Sequence, residues 1–514
     1  MQRSRSQPMP RPLPMQRSQR KPGRTGNTKL SVLSGPVEDP AMNEKPRICL
    51  ILEGSYPFIT GGVSAWVQDI ISGLDGIDFV LFTISPQKNQ KLRYVLPPNI
   101  TEHRDLVLGD RESGRRSHNE GRPAVGAILA AHARMFSGAM PNIREMISRI
   151  PEGYDLTEDA VVESRYWKLM QRMNEERNPA YPFSDYFWAW QSAHAMLFDA
   201  LRANPPEADL YHAISTGFAG LAALAASVRR NKPFLLTEHG LYHKEREIEI
   251  RKSQYIRGYQ RDMWIKAYNR ISGICYREAD SITALFEENR QKQLELGAAA
   301  DKCVVIPNGI DIGRFASVVR APRPGFHVGL VGRIVPIKDI KTFIAVAKIV
   351  LDRYSDAEFH AIGPTDEDEG YYEECVALTE SLRISDRFHF TGRQNVLEYY
   401  SFLDLMLLTS IREAQPLVIM EGWAAGVPSV TTKVGNAPEM VDYDERFLAP
   451  SKDAAKLAEC VIWIRGHPEE MAEINRANRE KAISRYDKKD MLSSYEKLYR
   501  RMARPEAGKR RWRA

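Results

Sequence analysis

The stretch Leu403-Asp-Leu-Met-Leu-Leu-Thr-Ser410 opens the part of the sequence that decides the fold, and Glu413-Ala-Gln-Pro-Leu-Val-Ile-Met-Glu421 follows it. The first string is rich in leucine and predicts a strong strand. Pro416 suits the first turn of a helix, and Gly426-Val-Pro428 ends that helix before a second strand at Ser429–Thr431. The stretch therefore predicts a strand–loop–helix–strand unit of an α/β fold.

Two glutamates bracket the predicted start of this helix. Glu413 lies in the loop at the carboxyl end of a strand, where open α/β sheets bind ligands, and Glu421 lies on the second helical turn. The helix N-terminus between them offers free N–H groups and a partial positive charge, which suit a phosphate. Carboxylates accept hydrogen bonds from sugar hydroxyls, so the unit predicts a nucleotide-sugar site. Two surface glutamates beside a helix are the alternative that this spacing leaves open.

Predicted strands and helices alternate in the same way over most of the chain. A first helix is expected at 65–74 with Ser64 as its N-cap. Two series of strands predict an α/β protein with two doubly wound, Rossmann-like domains. The first series is at residues 47–52, 79–83, 210–213, 234–237, 281–284 and from 303, and the second at 326–331, 358–362, 388–390, 403–410 and 429–431.

Composition shifts set the expected domain boundaries. The chain ends are rich in Arg, and the first also in Pro, Ser and Gln, so a disordered tail is expected there. The predicted segments are a disordered basic tail at 1–45, a first domain at 46–320 with a helical insertion at about 104–207, a second domain at 321–486 that begins with a linker at 321–325, a helix at 487–503 that packs back on the first domain, and a basic tail at 504–514.

Charge and cysteine usage narrow the class of protein. Residues 1–40 and 500–514 each carry a net charge of +6, and because the whole chain also carries +6, the body between them is acidic. The five widely spaced cysteines form no CxxC pair, which is typical of a reduced, cytosolic protein. No secretory signal or membrane-spanning run is found, and the tails lack the interleaved aromatic residues of a specific nucleic-acid binder.

Two further loops resemble phosphate sites. Gly61-Gly62 directly precedes a helix, where the backbone can approach a ligand closely, although a simple turn is the alternative. Arg333 and Lys338 lie on the loop after the strand at 326–331, and two cations at one strand end suit a diphosphate. The alternative there is a solvated basic loop. No GxGxxG or P-loop string occurs.

Three other motifs are weaker. His239 ends a strand in Phe234-Leu-Leu-Thr-Glu-His-Gly240, near His243 and Lys244, and is a catalytic candidate or a structural histidine. The acidic run Asp366-Glu-Asp-Glu369 contains a DxD string, but we interpret it as a solvated loop and expect no metal. The aromatic residues of Tyr166-Trp167 and Tyr186-Phe-Trp-Ala-Trp190 are expected in the core, with stacking on an acceptor sugar as the alternative.

These motifs occur in the order seen in the retaining family-4 glycosyltransferases of GT-B fold, and the resemblance covers about residues 46–500. Three strings resemble more narrowly the PelF group, which serves the Pel exopolysaccharide system. They are Leu52-Glu-Gly-Ser-Tyr-Pro-Phe-Ile-Thr-Gly-Gly-Val-Ser-Ala-Trp-Val67, Gly363-Pro-Thr-Asp-Glu-Asp368 and Tyr371-Tyr-Glu-Glu-Cys375. The chain departs from the common family pattern at Ala414-Gln-Pro416, which replaces Gly-Phe-Gly, and at Gly422-Trp423, which replaces Ala-Met.

The resemblance implies a GT-B fold, with the two Rossmann-like domains facing across a cleft, and a role for each candidate residue. Catalytic roles fall to His239, near the reacting centre, and to Glu413, on the donor sugar. Donor-binding roles fall to Gly61, Gly62, Arg333, Lys338, Gln415, Pro416, Leu417 and Glu421: the glycines and the two cations would hold the diphosphate, and Glu421 the ribose.

The implied activity is metal-independent, retaining hexosyl transfer from a UDP-sugar to a growing exopolysaccharide, without a cofactor. The implied partners are the polysaccharide acceptor and an inner-membrane Pel synthase complex, with a cytoplasmic location peripheral to that membrane. Two alternatives remain at this point: a nucleotide-sugar epimerase of the same fold, and a non-catalytic scaffold subunit, against which the complete set of site residues argues. The sequence leaves open the donor sugar, the linkage and the acceptor.

Overall fold

A computed structural model describes residues 45–109, 126–131, 134, 141–150, 152, 164–177, 182–254, 256 and 258–504. The two basic tails predicted from the sequence therefore lie, apart from Lys45 and Arg504, outside the described residues, as does much of the predicted insertion at 104–207. No helix in the described part of the chain is both long and apolar enough to cross a membrane. All five cysteines are buried and free.

Seven parallel strands form the first sheet, in the order β3-β2-β1-β4-β5-β6-β7. Alternate side chains of β1 enter different core clusters, Cys49 and Ile51 on one face and Ile48, Leu50 and Leu52 on the other, which explains its continuous apolar sequence. The strands are β1 Arg47–Glu53, β2 Asp78–Ser85, β3 Ile100–Val107, β4 Leu210–Ala213, β5 Phe234–Glu238, β6 Ser281–Ala284 and β7 Cys303–Val305.

Helices cover both faces of this sheet. Buried side chains of α4, α5 and α7 belong to one core cluster, and those of α1 to the other. The helices are α1 Gly62–Gly73, α2 Ile143–Arg149, α3 Ser164–Arg177, α4 Phe183–Arg202, α5 Gly217–Arg230, α6 Tyr242–Lys252, α7 Gly258–Glu278, α8 Glu287–Glu295 and α9 Ile312–Ala316.

Six parallel strands form the second sheet, in the order β10-β9-β8-β11-β12-β13. Its strands are β8 Phe326–Val331, β9 Ala357–Ile362, β10 Phe388–Gly392, β11 Leu405–Leu408, β12 Ser429–Thr432 and β13 Leu448–Ala449. Its helices are α10 Ile340–Leu351, α11 Glu369–Ser381, α12 Val396–Phe402, α13 Leu417–Ala424, α14 Ala437–Met440, α15 Ala454–Gly466 and α16 Pro468–Arg485, and one last helix, α17, spans Lys488–Ala503.

The last helix packs on the first sheet although it follows the second in the chain. Met491, Tyr495, Leu498, Tyr499 and Met502 belong to the same buried cluster as β1 and α1. Two tyrosine hydroxyls complete polar contacts under the sheet: that of Tyr499 lies 2.9 Å from Nδ1 of His212 on β4, and that of Tyr495 lies 3.1 Å from Oγ1 of Thr283 on β6. The helix therefore contributes both apolar and polar partners to the first core.

The predicted α/β class with two doubly wound sheets is confirmed, with three local corrections. Strand β3 was not predicted, and it runs to Val107, past the expected start of the insertion at about 104; it is a half-exposed, polar edge strand that lacks the apolar signal of its neighbours. Strand β13, which has only two residues, was not predicted either. Helix α1 begins at Gly62 with Gly61 as its N-cap, so Ser64 is a buried residue of the first turn and not the cap.

The predicted aromatic core of the insertion is partly confirmed. Tyr186 and Trp190 are buried, and Trp167 packs on Phe183 at a centroid distance of 5.2 Å. Trp188, by contrast, is 63% exposed. The side chain of Tyr166 lies outside the described residues.

Candidate functional site

The strand order of the second sheet places its candidate residues together. The strand order reverses between β8 and β11, which are neighbours in the sheet but are not consecutive in the chain. Ligands of doubly wound sheets bind at such a reversal, beyond the carboxyl ends of the strands. Arg333 and Lys338 follow β8, and Glu413 follows β11, so the three charged side chains predicted from the sequence lie on the two loops that border this point.

An ion pair joins the two loops. Nζ of Lys338 lies 2.5 Å from Oε1 of Glu413, and both side chains are only 17% exposed. The hydroxyl of Ser410 donates to the same carboxylate oxygen at 2.7 Å. The backbones are also tied, because the hydroxyl of Thr409 donates to the carbonyl of Lys338 at 2.8 Å. The charged pair is therefore held by a fixed frame and not by two free side chains.

Gly435 supports the Glu413 loop from behind. A Cβ atom at this position would lie 2.3 Å from the carbonyl oxygen of Glu413 and 2.2 Å from that of Ala414, and φ is +51°, so only glycine fits. The next residue, Asn436, donates its backbone N–H to the carbonyl of Ala414 at 2.8 Å. Sequence reasoning missed this support, although a glycine shortly after the strand Ser429–Thr432 was a usable signal.

Arg333 is paired with the acidic run after β9. Its guanidinium donates to Glu367, and the two side chains are 43% and 47% exposed. Asp368 is the N-cap of α11 and accepts from the N–H of Tyr371 at 3.0 Å. The DxD string thus serves a helix start and an ion pair. Within the described ranges, no three His, Cys, Asp or Glu side chains are grouped so as to hold a metal ion.

The helix after Glu413 begins as the sequence predicts. Pro416 is the N-cap of α13 and Leu417 its first residue, and no side chain caps the helix, so its N-terminal N–H groups remain available. Oε1 of Gln415 accepts from the backbone N–H of Asn308 at 2.8 Å, which leaves only its amide nitrogen for a ligand. This bond also joins the loop before α13 to the segment after β7.

Glu421 lies on helix α13, and a hydrogen bond from a buried tyrosine fixes its carboxylate. The hydroxyl of Tyr400, a fully buried residue of α12, donates to its carboxylate at 3.1 Å. Burial raises the pKa of Glu421, and this hydrogen bond and the charge of Arg314 oppose that rise. Tyr400 was not identified from the sequence.

His239 lies directly after β5, at the carboxyl edge of the first sheet. Its side chain is 8% exposed and meets the ring of Trp66 edge-on at a centroid distance of 4.7 Å. Burial lowers the pKa of His239 to about 4, so the imidazole is neutral at pH 7. Its Nε2 atom is buried without a hydrogen-bond partner in the described structure. A buried, unpartnered ring nitrogen is rare unless a ligand completes it.

Gly61 and Gly62 border open space after β1. A Cβ atom on either residue would meet nothing within 4 Å. Both lie at the start of α1, so the N-terminus of this helix faces a region that a ligand can enter. His239 and this glycine pair belong to the first sheet, and no hydrogen bond or ion pair between described residues joins either of them to Glu413, Arg333 or Lys338.

Two carboxylates at the ends of β1 and β5 were missed, the half-buried Glu53 and the buried Glu238. Glu53 accepts from the hydroxyl of Tyr242 at 2.5 Å and from the N–H of Phe218, near the start of α5, at 2.9 Å. Glu238 accepts from the hydroxyl of Tyr276 at 2.5 Å and from the amide of Gln293 at 3.2 Å. Burial raises the pKa of both carboxyls, that of Glu238 to about 7. Their strand-end positions were the available signal.

Glu238 should make the free energy of unfolding depend on pH. Because its folded pKa of about 7 exceeds the ordinary value of 4.5, its contribution to stability is fully present below pH 4.5 and is lost as pH rises through 7. The shift corresponds to about 3 kcal/mol. Burial lowers the pKa values of His239 and His243 to about 4. These two groups have the opposite effect, because they reduce the free energy of unfolding as pH falls below 6.5.

The comparison of wild type with Glu238→Gln isolates this group. We expect the difference in melting temperature between the two proteins to shift in favour of the variant between pH 5 and pH 8, because only the wild type must release a proton from a buried carboxyl. Thermal unfolding at both pH values measures it. A constant difference across this range would show that Glu238 is ionised throughout.

Known protein families match both halves of the chain. Residues 46–301 match a domain of unknown function (DUF3492), and residues 325–466 match the glycosyl transferases group 1 family. The second match contains β8 to β12 and all the candidate residues from Arg333 to Glu421. The family model thus covers the loops that carry the Lys338–Glu413 pair.

Individual relatives agree with this assignment. N-acetyl-alpha-D-glucosaminyl L-malate synthase of Bacillus anthracis is 30% identical over 34% of this chain and 44% of its own length, so the chain spans less than half of that relative. The amylovoran biosynthesis glycosyltransferase AmsK of Erwinia amylovora is 22% identical over 61% of this chain and 75% of its own length.

The solved structure of HepE from Anabaena in complex with UDP has the same fold. It is similar over 88% of this chain and 98% of its own, with a TM-score of 0.56 and 16% identity. At this identity the likeness shows the fold alone. The two parallel, doubly wound sheets are those of the GT-B fold, and residues 325–466 match the glycosyl transferases group 1 family.

Proposed function

We propose that the protein is a retaining, metal-independent glycosyltransferase that moves a hexose from a UDP-sugar to a growing exopolysaccharide of the Pel type. The observation that carries this proposal is the Lys338–Glu413 pair, with Arg333 on the same loop, at the strand reversal of the second sheet. The UDP-bound neighbour HepE and the amylovoran relative AmsK support the donor and the polysaccharide product.

The two cations suit a nucleoside diphosphate because each is already paired with a negatively charged oxygen, that of a glutamate carboxylate. Lys338 is paired with Glu413 and Arg333 with Glu367. A bound diphosphate can replace these carboxylates as the partner of the cations, because phosphate oxygens accept charge-assisted hydrogen bonds of the same kind. The uncapped N-terminus of α13 adds N–H donors beside them.

The same groups assist bond cleavage. Negative charge grows on the UDP as it leaves the sugar, and fixed cations lower the barrier where that charge develops. Two protein cations therefore do the work that a metal ion performs in other transferases, and the proposal includes neither a metal nor a cofactor. Gly61 and Gly62, which border open space, would admit the diphosphate from the side of the first sheet.

The remaining candidates act on the sugars. A Glu413 oxygen released from Lys338 can accept from a hydroxyl of the donor hexose, and Glu421, positioned by Tyr400, can accept from the ribose. His239 offers a neutral imidazole with a free Nε2 atom to the reacting centre, so it adds a hydrogen bond without adding a charge. Gln415, Pro416 and Leu417 shape the floor of the donor site.

The setting of the activity is part of the proposal. We place the protein in the cytoplasm, peripheral to an inner-membrane Pel synthase complex. Two features of the sequence support this location: the resemblance to the PelF group and the net charge of +6 in residues 1–40, which suits anionic lipid headgroups.

Calorimetric titration of the purified protein with UDP in the presence of a chelator tests the proposal. We expect binding that neither Mg²⁺ nor Mn²⁺ strengthens. A panel of UDP-sugars, with and without a polysaccharide acceptor, then reports release of UDP. A strict metal requirement contradicts the metal-free site, a rearranged sugar nucleotide without acceptor indicates an epimerase, and binding of UDP without any turnover indicates a scaffold subunit.

Removing the partner of Arg333 should strengthen donor binding. Because Glu367 competes with the diphosphate for this guanidinium, we expect Glu367→Gln to tighten UDP binding by up to about fivefold, the worth of an exposed ion pair. Glu369→Gln is the matched control, since it removes the same charge from the same acidic run without touching Arg333. Equal affinities of the two variants would show that Arg333 does not contact UDP.

A further inference from the structure

A cavity of about 550 Å³ lies among the helices of the first part of the chain. Its described lining comes mainly from α4 and α7, with contributions from α2, α3 and α5. None of the residues assigned to the donor or to the reacting centre lines it. Its volume is within the range of small-molecule binding sites, about 300–1,000 Å³.

The wall of the cavity is apolar. Most of its lining consists of large aliphatic, thioether and aromatic side chains, among them Met146, Met173, Tyr186, Trp190, Phe198 and Leu221. Such a surface favours a hydrocarbon ligand, because transfer of apolar area out of water is worth about 25 cal/mol per Å². A space of this size that stayed empty would forgo those contacts.

The wall does not suit a sugar. A sugar ring would stack on the face of an aromatic residue, but the ring of His194 is already stacked on Trp190 at a centroid distance of 3.7 Å and an angle of 18°. Nδ1 of His194 is engaged with the carbonyl of Trp190 at 2.8 Å. The many hydroxyls of a sugar would therefore find few partners in the apolar wall, at a cost for each buried polar group.

The rim of the cavity is charged. Asp262, Lys266 and Arg270 are four residues apart on α7, so they lie on one face of this helix, and all three are exposed and line the cavity. Lys266 and Arg270 make no ion pair or hydrogen bond with any described residue. Other cations nearby are paired, such as Arg144 with Glu278 and Arg230 with Glu152. The rim thus offers two unpaired cations against one carboxylate.

We propose that this cavity binds a single-chain amphiphile with an anionic headgroup. The hydrocarbon chain occupies the apolar wall, and the headgroup lies at Lys266 and Arg270. A fatty acid and an alkyl or lipid phosphate share this chemistry. The site is separate from the donor site and does not depend on the activity proposed above.

Titration of the full-length protein with dodecyl phosphate, dodecanoate and dodecylammonium, each below its micelle concentration, tests the proposal. Calorimetry should show binding of the two anions and at least tenfold weaker binding of the cation. Tighter binding of the phosphate than of the carboxylate would indicate a lipid phosphate, and the reverse a fatty acid. Equal affinity for anion and cation, or no binding at all, would overturn the proposal.

Two variants test the contributions of the charged rim and of the apolar wall to binding separately. Lys266→Glu with Arg270→Glu should weaken binding of both anions at least tenfold. The control Lys91→Glu with Lys252→Glu, which changes the net charge equally at exposed residues that do not line the cavity, should not. Ala267→Trp, which fills the cavity from α7, should abolish binding of every amphiphile at an unchanged melting temperature. Undiminished binding in both variants would locate the amphiphile elsewhere. UDP affinity should stay constant throughout.

Discussion

Replacing both Arg333 and Lys338 by alanine should weaken UDP binding by about 10²–10⁴-fold. Each charged hydrogen bond to phosphate contributes about 1.5–3 kcal/mol, and both cations lie on the loop after β8. The lower end of the range is the better estimate, because each cation must first leave a carboxylate partner. Calorimetric titration with UDP measures the loss.

The fold should survive this double substitution. The Arg333–Glu367 pair is exposed and contributes at most about 1 kcal/mol, and Glu413 keeps the hydroxyl of Ser410 when Lys338 is removed. The matched control is Lys341→Ala with Lys348→Ala on α10, which removes the same charge from exposed ion pairs of the same domain. A folded double variant that binds UDP as the control does would place the diphosphate elsewhere.

Glu413→Gln should lower kcat by about 10²-fold or more without weakening UDP binding. The substitution keeps the volume and the contact with Ser410 but removes the charge beside the reacting sugar, a loss comparable with that of one electrostatic contact at a reacting centre. UDP contains no sugar for Glu413 to hold. Its affinity should stay constant or rise, because Lys338 loses the carboxylate that competes with the phosphate.

Glu421→Ala should show the opposite pattern. The ribose does not change during transfer, so its contact is lost equally from the ground state and the transition state. We therefore expect a higher KM and weaker UDP binding, with turnover at saturation largely kept. UDP affinity and kcat measured for both variants decide between the roles. If Glu413→Gln loses UDP binding while turnover survives, the two assignments are wrong.

The strands that could be predicted from sequence are those buried on both faces. Apart from Arg47 and His327, the runs at 47–52 and 326–331 contain no polar side chain, because helices cover both sides of their sheets. Strand β3 pairs only with β2 and carries charged residues along a half-exposed edge, so its sequence resembles a polar loop. The start of α1 was misplaced because Gly61 caps it without a side-chain bond, whereas serine is a preferred N-cap residue.

Site residues could be predicted where a charged side chain follows a strand. Contacts between residues far apart in the sequence could not. Arg333, Lys338 and Glu413 were found from their loops, but the pairing of Lys338 with Glu413 joins residues 75 apart in sequence and follows from the order of the strands. Glu53 and Glu238 escaped notice because a carboxylate is rarely buried, and only the folded structure shows the tyrosine hydroxyls that stabilise them.

The packing of α17 on the first sheet determines when that sheet can be completed during synthesis. Domains usually fold in order from the N-terminus as the chain leaves the ribosome. Here the face of β1 that carries Ile48, Leu50 and Leu52 is covered in part by the last described helix, so it lacks those partners until more than 180 further residues have been made after β7. A ribosome that stalls within the second sheet therefore leaves this apolar surface of the first sheet without its covering helix.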